Sequence, residues 1–135
     1  MQVQKAVALA LTKHIHNEVS NGESPEQATN STLEKYRHLI RRPNAEQTID
    51  EQVFFLLEAQ VDLAKRMDGA RIMPFLLRDL YQLDVFDEEA FTSWFEDERS
   101  QEAAVVAMRD AGKPFIDWLE NAEEESEEED DDDSE

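Results

Sequence analysis

Apolar residues recur at helical spacing along the chain. The clearest example is the series Val3, Val7, Leu11, Ile15 and Val19, one apolar side chain at every fourth residue. No stretch alternates apolar and polar residues convincingly, as a half-buried strand would. The four prolines and three glycines fall mostly between the helical patterns, where such residues end helices. The sequence therefore predicts an all-α fold.

The first two predicted helices have recognisable start and stop signals. The first covers about residues 2–20 and is ended by Asn21–Gly22, because glycine favours the conformation that follows a helix. Ser24–Gln27 combines a capping serine, a proline at the first helical position and a glutamine three residues after the serine. This combination predicts a second helix that reaches about Ile40.

The third predicted helix carries the widest apolar stripe and is expected to be the centre of the domain. Asn44 with Gln47 resembles a capping box and predicts that this helix begins there and runs to about Met67. The stripe consists of Val53, Phe54, Leu56, Leu57, Val61 and Ala64.

Further helices are predicted in the second half of the chain. Pro74 is expected in the first turn of a fourth helix, where proline is tolerated, and Asp87 is expected to cap a fifth. A sixth helix is predicted over about 100–111, and Gly112–Pro114 is expected to separate it from a short last helix that carries Trp118. Short connections between successive helices indicate stacked antiparallel hairpins of the HEAT type, with a plain helical bundle as the alternative.

The C-terminal end is almost purely acidic. Eleven of the thirteen residues from Glu123 to Glu135 are Asp or Glu, and the net charge of the chain is −20. Such a segment repels itself and has no apolar surface to bury, so we expect a helical domain over 1–121 and a disordered tail over 122–135. The charge argues against nucleic acid and anionic membranes as direct ligands and favours lysine-rich protein segments.

Composition also limits the compartment. There is no cysteine, so disulfides, thiol nucleophiles and zinc–thiolate sites are excluded. The longest apolar runs, Ala6–Leu11 and Val53–Leu57, are far shorter than the roughly 20 residues that a transmembrane helix needs. Nothing in the first residues marks a secretory signal. We therefore expect a cytoplasmic protein without a membrane span.

Neither metal nor cofactor chemistry has a convincing motif. His14 and Glu18 share one helix face, but a zinc site needs three or four converging ligands, so a metal-dependent helical enzyme would need a third ligand from elsewhere. Gly22, Gly69 and Gly112 are isolated, so no glycine-rich phosphate loop is present. No catalytic residues, metal site or cofactor are therefore predicted.

Two blocks combine aromatic residues at helical spacing with acids on the other faces. They cover 81–97 and 115–125. A tryptophan rimmed by carboxylates can receive lysine or arginine stems by packing and cation–π contact. A core position is the favoured alternative for Trp94, which lies mid-domain between Phe91 and Phe95, and it is left open for Trp118 at the edge of the domain. The candidate partner-binding residues are Tyr81, Asp84, Asp87, Glu88, Glu89, Trp94, Glu96, Phe115, Trp118, Glu120, Glu123, Glu124 and Glu125.

These two blocks resemble the aromatic/acidic boxes of the W2 domain. The first reads Tyr-Gln-Leu-Asp-Val-x-Asp-Glu-Glu and ends in Trp94–Phe95, and the second reads Phe-Ile-x-Trp-Leu and continues into Ala-Glu-Glu-Glu-Ser. The family takes its name from two tryptophans, which match Trp94 and Trp118. This HEAT-like module ends the epsilon subunit of translation initiation factor 2B, initiation factor 5 and some relatives of the initiation-factor 4G scaffold. The chain is most similar to the 2B epsilon form, with factor 5 as the main alternative.

The resemblance implies guanine-nucleotide exchange on initiation factor 2 rather than bond-making chemistry. The boxes would engage the lysine-rich beta subunit, another acidic face would act on the GTP-binding gamma subunit, and other subunits of 2B would be partners. The family's exchange domain usually begins with one or two further helices that carry a critical glutamate, and no residue here matches it. The alternatives are an assembly adaptor of the factor 5 type and a generic acidic adaptor or chaperone for basic proteins.

Ser126 is a predicted phosphorylation site. Acids surround it on both sides, from Glu123 to Glu129, as acid-directed kinases of the casein-kinase-2 type prefer. Phosphorylation would add about −1.5 to −2 charge and strengthen attraction to lysine-rich partners. Mass spectrometry of the kinase-treated chain should find Ser126 modified, and an unmodified Ser126 would contradict the prediction.

Overall fold

The computed structural model describes residues 2–40 and 47–133, with side chains described for 4–40 and 47–122. These parts contain α-helices, one 3₁₀ turn (Glu98–Gln101) and no strand. The helices are α1 (Gln2–Ser20), α2 (Pro25–Ile40), α3 (Ile49–Ala64), α4 (Gly69–Gln82), α5 (Glu88–Glu96) and α6 (Val106–Asp133). The all-α prediction is confirmed.

Successive helices pair into three stacked hairpins. The pairs α1/α2, α3/α4 and α5/α6 are in contact, while α1, α3 and α5 form one layer and α2, α4 and α6 form the other. The central hairpin therefore lies between the other two, and α3 contacts α1, α4, α5 and α6. This is the HEAT-like arrangement that the sequence predicts.

The first hairpin has the predicted boundaries. Gly22 has a φ of 105°, and the Glu23 amide donates to the Glu18 carbonyl at 3.0 Å, which is the helix-ending motif that favours glycine. The Ser24 hydroxyl accepts a hydrogen bond from the Gln27 amide at 3.1 Å. The start and stop signals read from the sequence are thus the ones that the structure uses.

The central helix begins later than the sequence pattern predicts. Thr48 is its N-cap and accepts from the Glu51 amide at 3.1 Å, whereas Asn44 lies outside the described residues. The buried face is also rotated from the predicted stripe, because Val61 is 39% exposed while two glutamines are buried. The buried residues of α3 are Gln52, Val53, Phe55, Leu56, Leu57, Ala59, Gln60 and Leu63.

Two prolines lie inside helices instead of marking their ends. Pro74 is the sixth residue of α4, not a first-turn residue, and its missing N–H leaves the carbonyl of Ala70 without its helical donor. Ala70 is exposed, so water can take the place of that donor. Pro114 likewise lies within α6, so the predicted break into two helices is wrong.

Gly112 lies inside α6, where the sequence pattern predicts the end of a helix, and tight packing explains why this position is a glycine. A Cβ at this position would lie 2.5 Å from Leu77 Cδ1 and 3.4 Å from Trp94 Cη2. The missing side chain therefore lets α6 approach α4 and α5 closely. Residues Phe115, Ile116 and Leu119, just after this contact, are buried, so packing holds the helix continuous past Pro114.

A buried carboxylate lies on α4, the neighbour of α2. The side chain of Asp79 is fully buried, its Oδ1 accepts from Arg78 Nε at 3.1 Å, and its Oδ2 has no hydrogen-bond partner among the described residues. Burial raises the pKa of Asp79 above its ordinary value, and the neighbouring Arg78 and the side chain of Asn30 only partly offset this effect. The folded state therefore disfavours the ionised form.

Leu57→Asp should destabilise the domain severely. Leu57 is 7% exposed, and an unpaired buried charge costs about 3–5 kcal/mol, comparable to the whole stability of about 5–15 kcal/mol of a small domain. Val61→Asp is the matched control, because it places the same charge on an exposed position of the same helix. Thermal melting should separate the two variants, and equal melting temperatures would contradict the assigned core.

Asp79→Asn should stabilise the domain at pH 7. The raised pKa means that the stability of the parent is complete below the unfolded pKa and is lost as the pH rises through the folded pKa. Asparagine keeps an acceptor for Arg78 and never ionises. Denaturant unfolding at pH 7 and pH 4 should show an advantage at pH 7 that shrinks at pH 4, where the parent is protonated more fully. The exposed Asp110→Asn control should show no such pH-dependent difference.

Candidate partner-docking surface

Three aromatic side chains form a surface patch where α4 meets α6. We call Tyr81, Phe115 and Trp118 the aromatic patch. The Trp118 ring stacks on Phe115 with centroids 6.1 Å apart and meets Tyr81 edge-on at 5.8 Å. Trp118 is 51% exposed, whereas Phe115 is buried. The patch thus presents one large ring to solvent and fixes its orientation from behind.

The aromatic patch is the outer end of an aromatic series that begins in the core. Phe55 on α3 contacts Phe86 at 5.2 Å, Phe86 contacts Phe91 at 6.3 Å, and Phe91 contacts Phe115 at 5.3 Å between centroids. Such edge-on and tilted pairs are the favoured arrangements of aromatic rings. The exposed Trp118 therefore rests on a continuous, well-packed support that reaches the central helix.

Glu88 joins the aromatic patch directly. Its Oε1 accepts a hydrogen bond from the Tyr81 hydroxyl at 3.1 Å, which links the end of α4 to the first turn of α5. Glu88 and Glu89 occupy that first turn, where the helix dipole favours anions. A carboxylate of the first block is therefore bonded to the hydroxyl group of the aromatic patch.

Asp84 lies in the connection between α4 and α5 in a left-handed conformation. Its φ is 57°, its amide donates to the Tyr81 carbonyl at 3.1 Å, and the Val85 amide donates to the Leu80 carbonyl at 3.0 Å. These bonds end α4 in the way that a glycine often does, and Leu80 and Val85 are both buried. Asp84 itself is exposed three residues after Tyr81.

Asp87 has a structural partner that the sequence pattern does not reveal. It occupies the N-cap position of α5, but its side chain makes no capping bond, so the predicted cap is wrong in this respect. Instead, Asp87 Oδ2 accepts from Gln52 Nε2 at 3.1 Å, and the Asp87 amide donates to Gln52 Oε1 at 2.9 Å. The carboxylate therefore holds the start of α5 against α3.

Trp94 is a core residue and cannot bind a partner directly. It is fully buried, and its indole Nε1 donates to Gln60 Oε1 at 3.1 Å. Gln60 Nε2 in turn donates to the carbonyls of Ser100 and Val105 at 2.9 and 3.0 Å. The prediction that Trp94 belongs to a docking surface is therefore corrected, because its buried ring presents no surface to a partner.

The end of α5 is separate from the aromatic patch. Glu96 is exposed but lies eight residues after Glu88, about 12 Å along the helix at 1.5 Å per residue. Beside it, the Phe95 ring is covered by Arg109, whose guanidinium carbon lies 3.7 Å from the ring centroid and whose Nε donates to the Phe95 carbonyl at 2.8 Å. Arg109 thus makes the cation–π contact with the Phe95 ring that a cation of a partner could otherwise make.

The remaining predicted acids fall into two groups. Glu89 and Glu120 are exposed, on α5 and α6 respectively. Glu123–Glu125 and Ser126 lie beyond the described side chains, so their roles and the expected disorder of the tail remain predictions. The structure therefore brings together Tyr81, Glu88, Phe115 and Trp118. The other predicted residues lie outside this group of four.

The described residues meet the requirements of neither a metal site nor a membrane span. His14 Nε2 lies 2.9 Å from Glu18 Oε1, and over the described ranges no group of three His, Asp or Glu side chains is arranged to hold a metal ion. Among the described helices, none is long and apolar enough to cross a bilayer.

Sequence comparisons with known proteins identify a family and two relatives. The sequence model of the W2 family, described as eIF4-gamma/eIF5/eIF2-epsilon, matches residues 51–129. The translation initiation factor eIF2B subunit epsilon of Schizosaccharomyces pombe is 35% identical over 124 residues, which cover 90% of this chain and 17% of that protein. Eukaryotic translation initiation factor 5 of Zea mays is 39% identical over 61 residues, which cover 42% of this chain and 12% of that protein. No solved structure matches significantly.

The matched region contains both tryptophans and the whole aromatic patch, and the chain spans about a sixth of the length of its epsilon-subunit relative. Both aromatic/acidic blocks, 81–97 and 115–125, lie within the matched residues. The chain therefore belongs to the W2 family and is a translation-initiation-factor W2 domain related to the epsilon subunit of eIF2B and to eIF5.

Proposed function

We propose that this domain docks onto a lysine-rich segment of initiation factor 2, in its beta subunit, through the aromatic patch. The observation that carries the proposal is the exposed Trp118 ring, held by Phe115 and Tyr81 with the Glu88 carboxylate bonded to Tyr81. A lysine stem can pack on such a ring while its ammonium group reaches a carboxylate, and a cation–π contact contributes about 0.5–2 kcal/mol.

Charge supplies the long-range part of this recognition. The net charge of −20 attracts a basic segment from a distance and raises its rate of association. Asp84, Glu89 and Glu120, each close in sequence to Tyr81, Glu88 or Trp118, are exposed acids, and the acidic tail follows in sequence. The tail then provides most of the salt-dependent attraction, and Trp118 provides most of what remains at high salt.

Guanine-nucleotide exchange is the activity that we propose for the docked domain. A protein that binds the nucleotide-free form of a GTPase more tightly must loosen bound GDP by the same factor. Another acidic face would then contact the GTP-binding gamma subunit of initiation factor 2, with other subunits of factor 2B as partners in the cytoplasm. This activity requires differential contacts only, so it needs no acid–base residues or cofactor.

An adaptor role of the factor 5 type is the second candidate. The maize factor 5 match is 39% identical but covers only 42% of this chain, whereas the epsilon-subunit match covers 90%. The broader match favours exchange. Release of fluorescent GDP from initiation factor 2 distinguishes the two: an exchange domain accelerates release in proportion to its concentration, and an adaptor binds without changing the rate.

Trp118→Ala should weaken binding to a lysine-rich peptide by more than about 1 kcal/mol, the usual threshold for an interface hot spot. Met67→Ala is the matched control, because Met67 is fully exposed on another surface. Fluorescence anisotropy should show the loss for Trp118→Ala only, with helix content near that of the parent. A folded Trp118→Ala variant with unchanged affinity would contradict the proposed docking surface.

Deleting residues 123–135 tests the generic acidic adaptor. If the tail alone binds basic proteins, the deletion should abolish capture of initiation factor 2 and of the peptide at every salt concentration. If the aromatic patch binds, the shortened chain should keep a Trp118-dependent part that persists when salt shortens the Debye length from about 8 Å at 0.15 M to about 3 Å at 1 M. Complete loss of binding would favour the generic adaptor.

A further inference from the structure

Tyr81 is the residue of the aromatic patch at which three helices meet. It lies in the last turn of α4, and its ring meets Phe91 of α5 at 6.3 Å and Phe115 and Trp118 of α6 at 6.0 and 5.8 Å between centroids. All three contacts are edge-on, and a phenylalanine ring could make each of them. Ring packing therefore explains an aromatic residue at this position, but it does not explain why that residue is tyrosine.

The hydroxyl group of Tyr81 has a charged partner. It donates a hydrogen bond to Glu88 Oε1 at 3.1 Å, and hydrogen bonds to an ionised acceptor are stronger than those between neutral groups. Both side chains are half-buried, and Glu88 lies in the first turn of α5. The bond therefore fixes the position of a negative charge at the edge of the aromatic patch.

Glu88 carries a charge that no cation of the described chain neutralises. On α6, Asp117 pairs with Lys113 at 3.1 Å, so the acid that directly precedes Trp118 is already engaged. In the parts of the chain that the structure describes, no Lys or Arg forms an ion pair with Glu88. A carboxylate can accept about four hydrogen bonds, so the bond from Tyr81 leaves Glu88 able to accept an ammonium group as well.

One side chain separates this carboxylate from the exposed ring. Glu88 is bonded to the Tyr81 hydroxyl group, and Trp118 contacts the Tyr81 ring. The long, flexible stem of a lysine can cover such a span, because its apolar part packs along a ring while its ammonium group reaches a polar partner.

We infer that Tyr81 is a positioning residue, whose hydroxyl group holds Glu88 where it accepts the ammonium group of a lysine packed on Trp118. This inference rests on the docking function proposed above and adds the chemistry of the partner's side chain. Acetylation leaves the apolar stem of a lysine in place and removes its positive charge. The aromatic patch therefore distinguishes charged lysine from acetylated lysine, and Tyr81 contributes to this distinction through Glu88.

The test measures the affinity of the full chain for a labelled lysine-rich peptide and for a copy of it in which every lysine is acetylated. The ratio of the two affinities reports the preference for charge. Glu88→Gln keeps the length of the side chain and removes its charge, and it should lower the ratio at least about threefold, as expected for one partly exposed ion pair. Tyr81→Phe keeps the ring and removes the hydroxyl group, and it should lower the ratio at least about twofold.

The chain offers a matched control for each variant. Glu89→Gln removes the same charge from the next residue of α5, and Tyr36→Phe removes the hydroxyl group of the other tyrosine, on α2. Each should change the ratio less than about 1.5-fold, since neither group is bonded to the aromatic patch. The double variant Tyr81→Phe/Glu88→Gln should lose no more than Glu88→Gln alone, because the hydroxyl group acts through the carboxylate.

Trp118→Ala separates failure of this inference from failure of the docking function. The inference alone is overturned if Trp118→Ala weakens binding while Tyr81→Phe and Glu88→Gln change the ratio no more than their controls do. It is also overturned if Tyr81→Phe lowers both affinities equally, because a purely structural role would have that effect. If Trp118→Ala leaves both affinities unchanged, the docking surface fails and the inference fails with it. If Tyr81→Phe does not fold, Glu88→Gln decides, since it keeps every aromatic ring.

Discussion

Two buried glutamines of α3 determine where the second half of the domain lies. Gln60 accepts from the Trp94 indole and donates to the carbonyls of Ser100 and Val105, while Gln52 exchanges two hydrogen bonds with Asp87. An unsatisfied buried amide group would cost about 1–3 kcal/mol, so these bonds strongly favour one arrangement. Together they hold both ends of α5 on the central helix, and through α5 they fix the position of Glu88 beside the aromatic patch.

The two tryptophans that characterise the family have different physical roles here. Trp94 is fully buried and bonded to Gln60, whereas Trp118 is half-exposed and stacked on Phe115. One tryptophan builds the support, and the other presents a ring to solvent. Arg109, which covers Phe95, shows within the same molecule how a cation settles on one of these rings, and it leaves Trp118 as the exposed aromatic member of the two blocks.

Local signals made much of the fold predictable, and long-range contacts account for the rest. Gly22 and Ser24 act within a few residues of themselves, so the bounds of the first hairpin follow from the sequence. The break predicted at Gly112 is wrong because glycine is required there by the close approach of Leu77 and Trp94, which lie far away in sequence. The predicted buried face of α3 omitted its two glutamines for a related reason. An apolar stripe is identified from apolar residues alone, and the neighbouring sequence does not indicate that a glutamine side chain has buried hydrogen-bond partners.

If the domain docks as proposed, the left-handed backbone at Asp84 sets stability against recognition. Aspartate adopts this left-handed conformation, with a φ of 57°, at some conformational free-energy cost, which glycine would not have. Any selection for a higher melting temperature would therefore favour glycine at this position and would remove a carboxylate three residues from Tyr81. Under the proposed function, thermostabilised versions of the domain would fold better and yet attract basic partners more slowly. Sequence variation at Asp84 in relatives would then record which of these two demands is stronger.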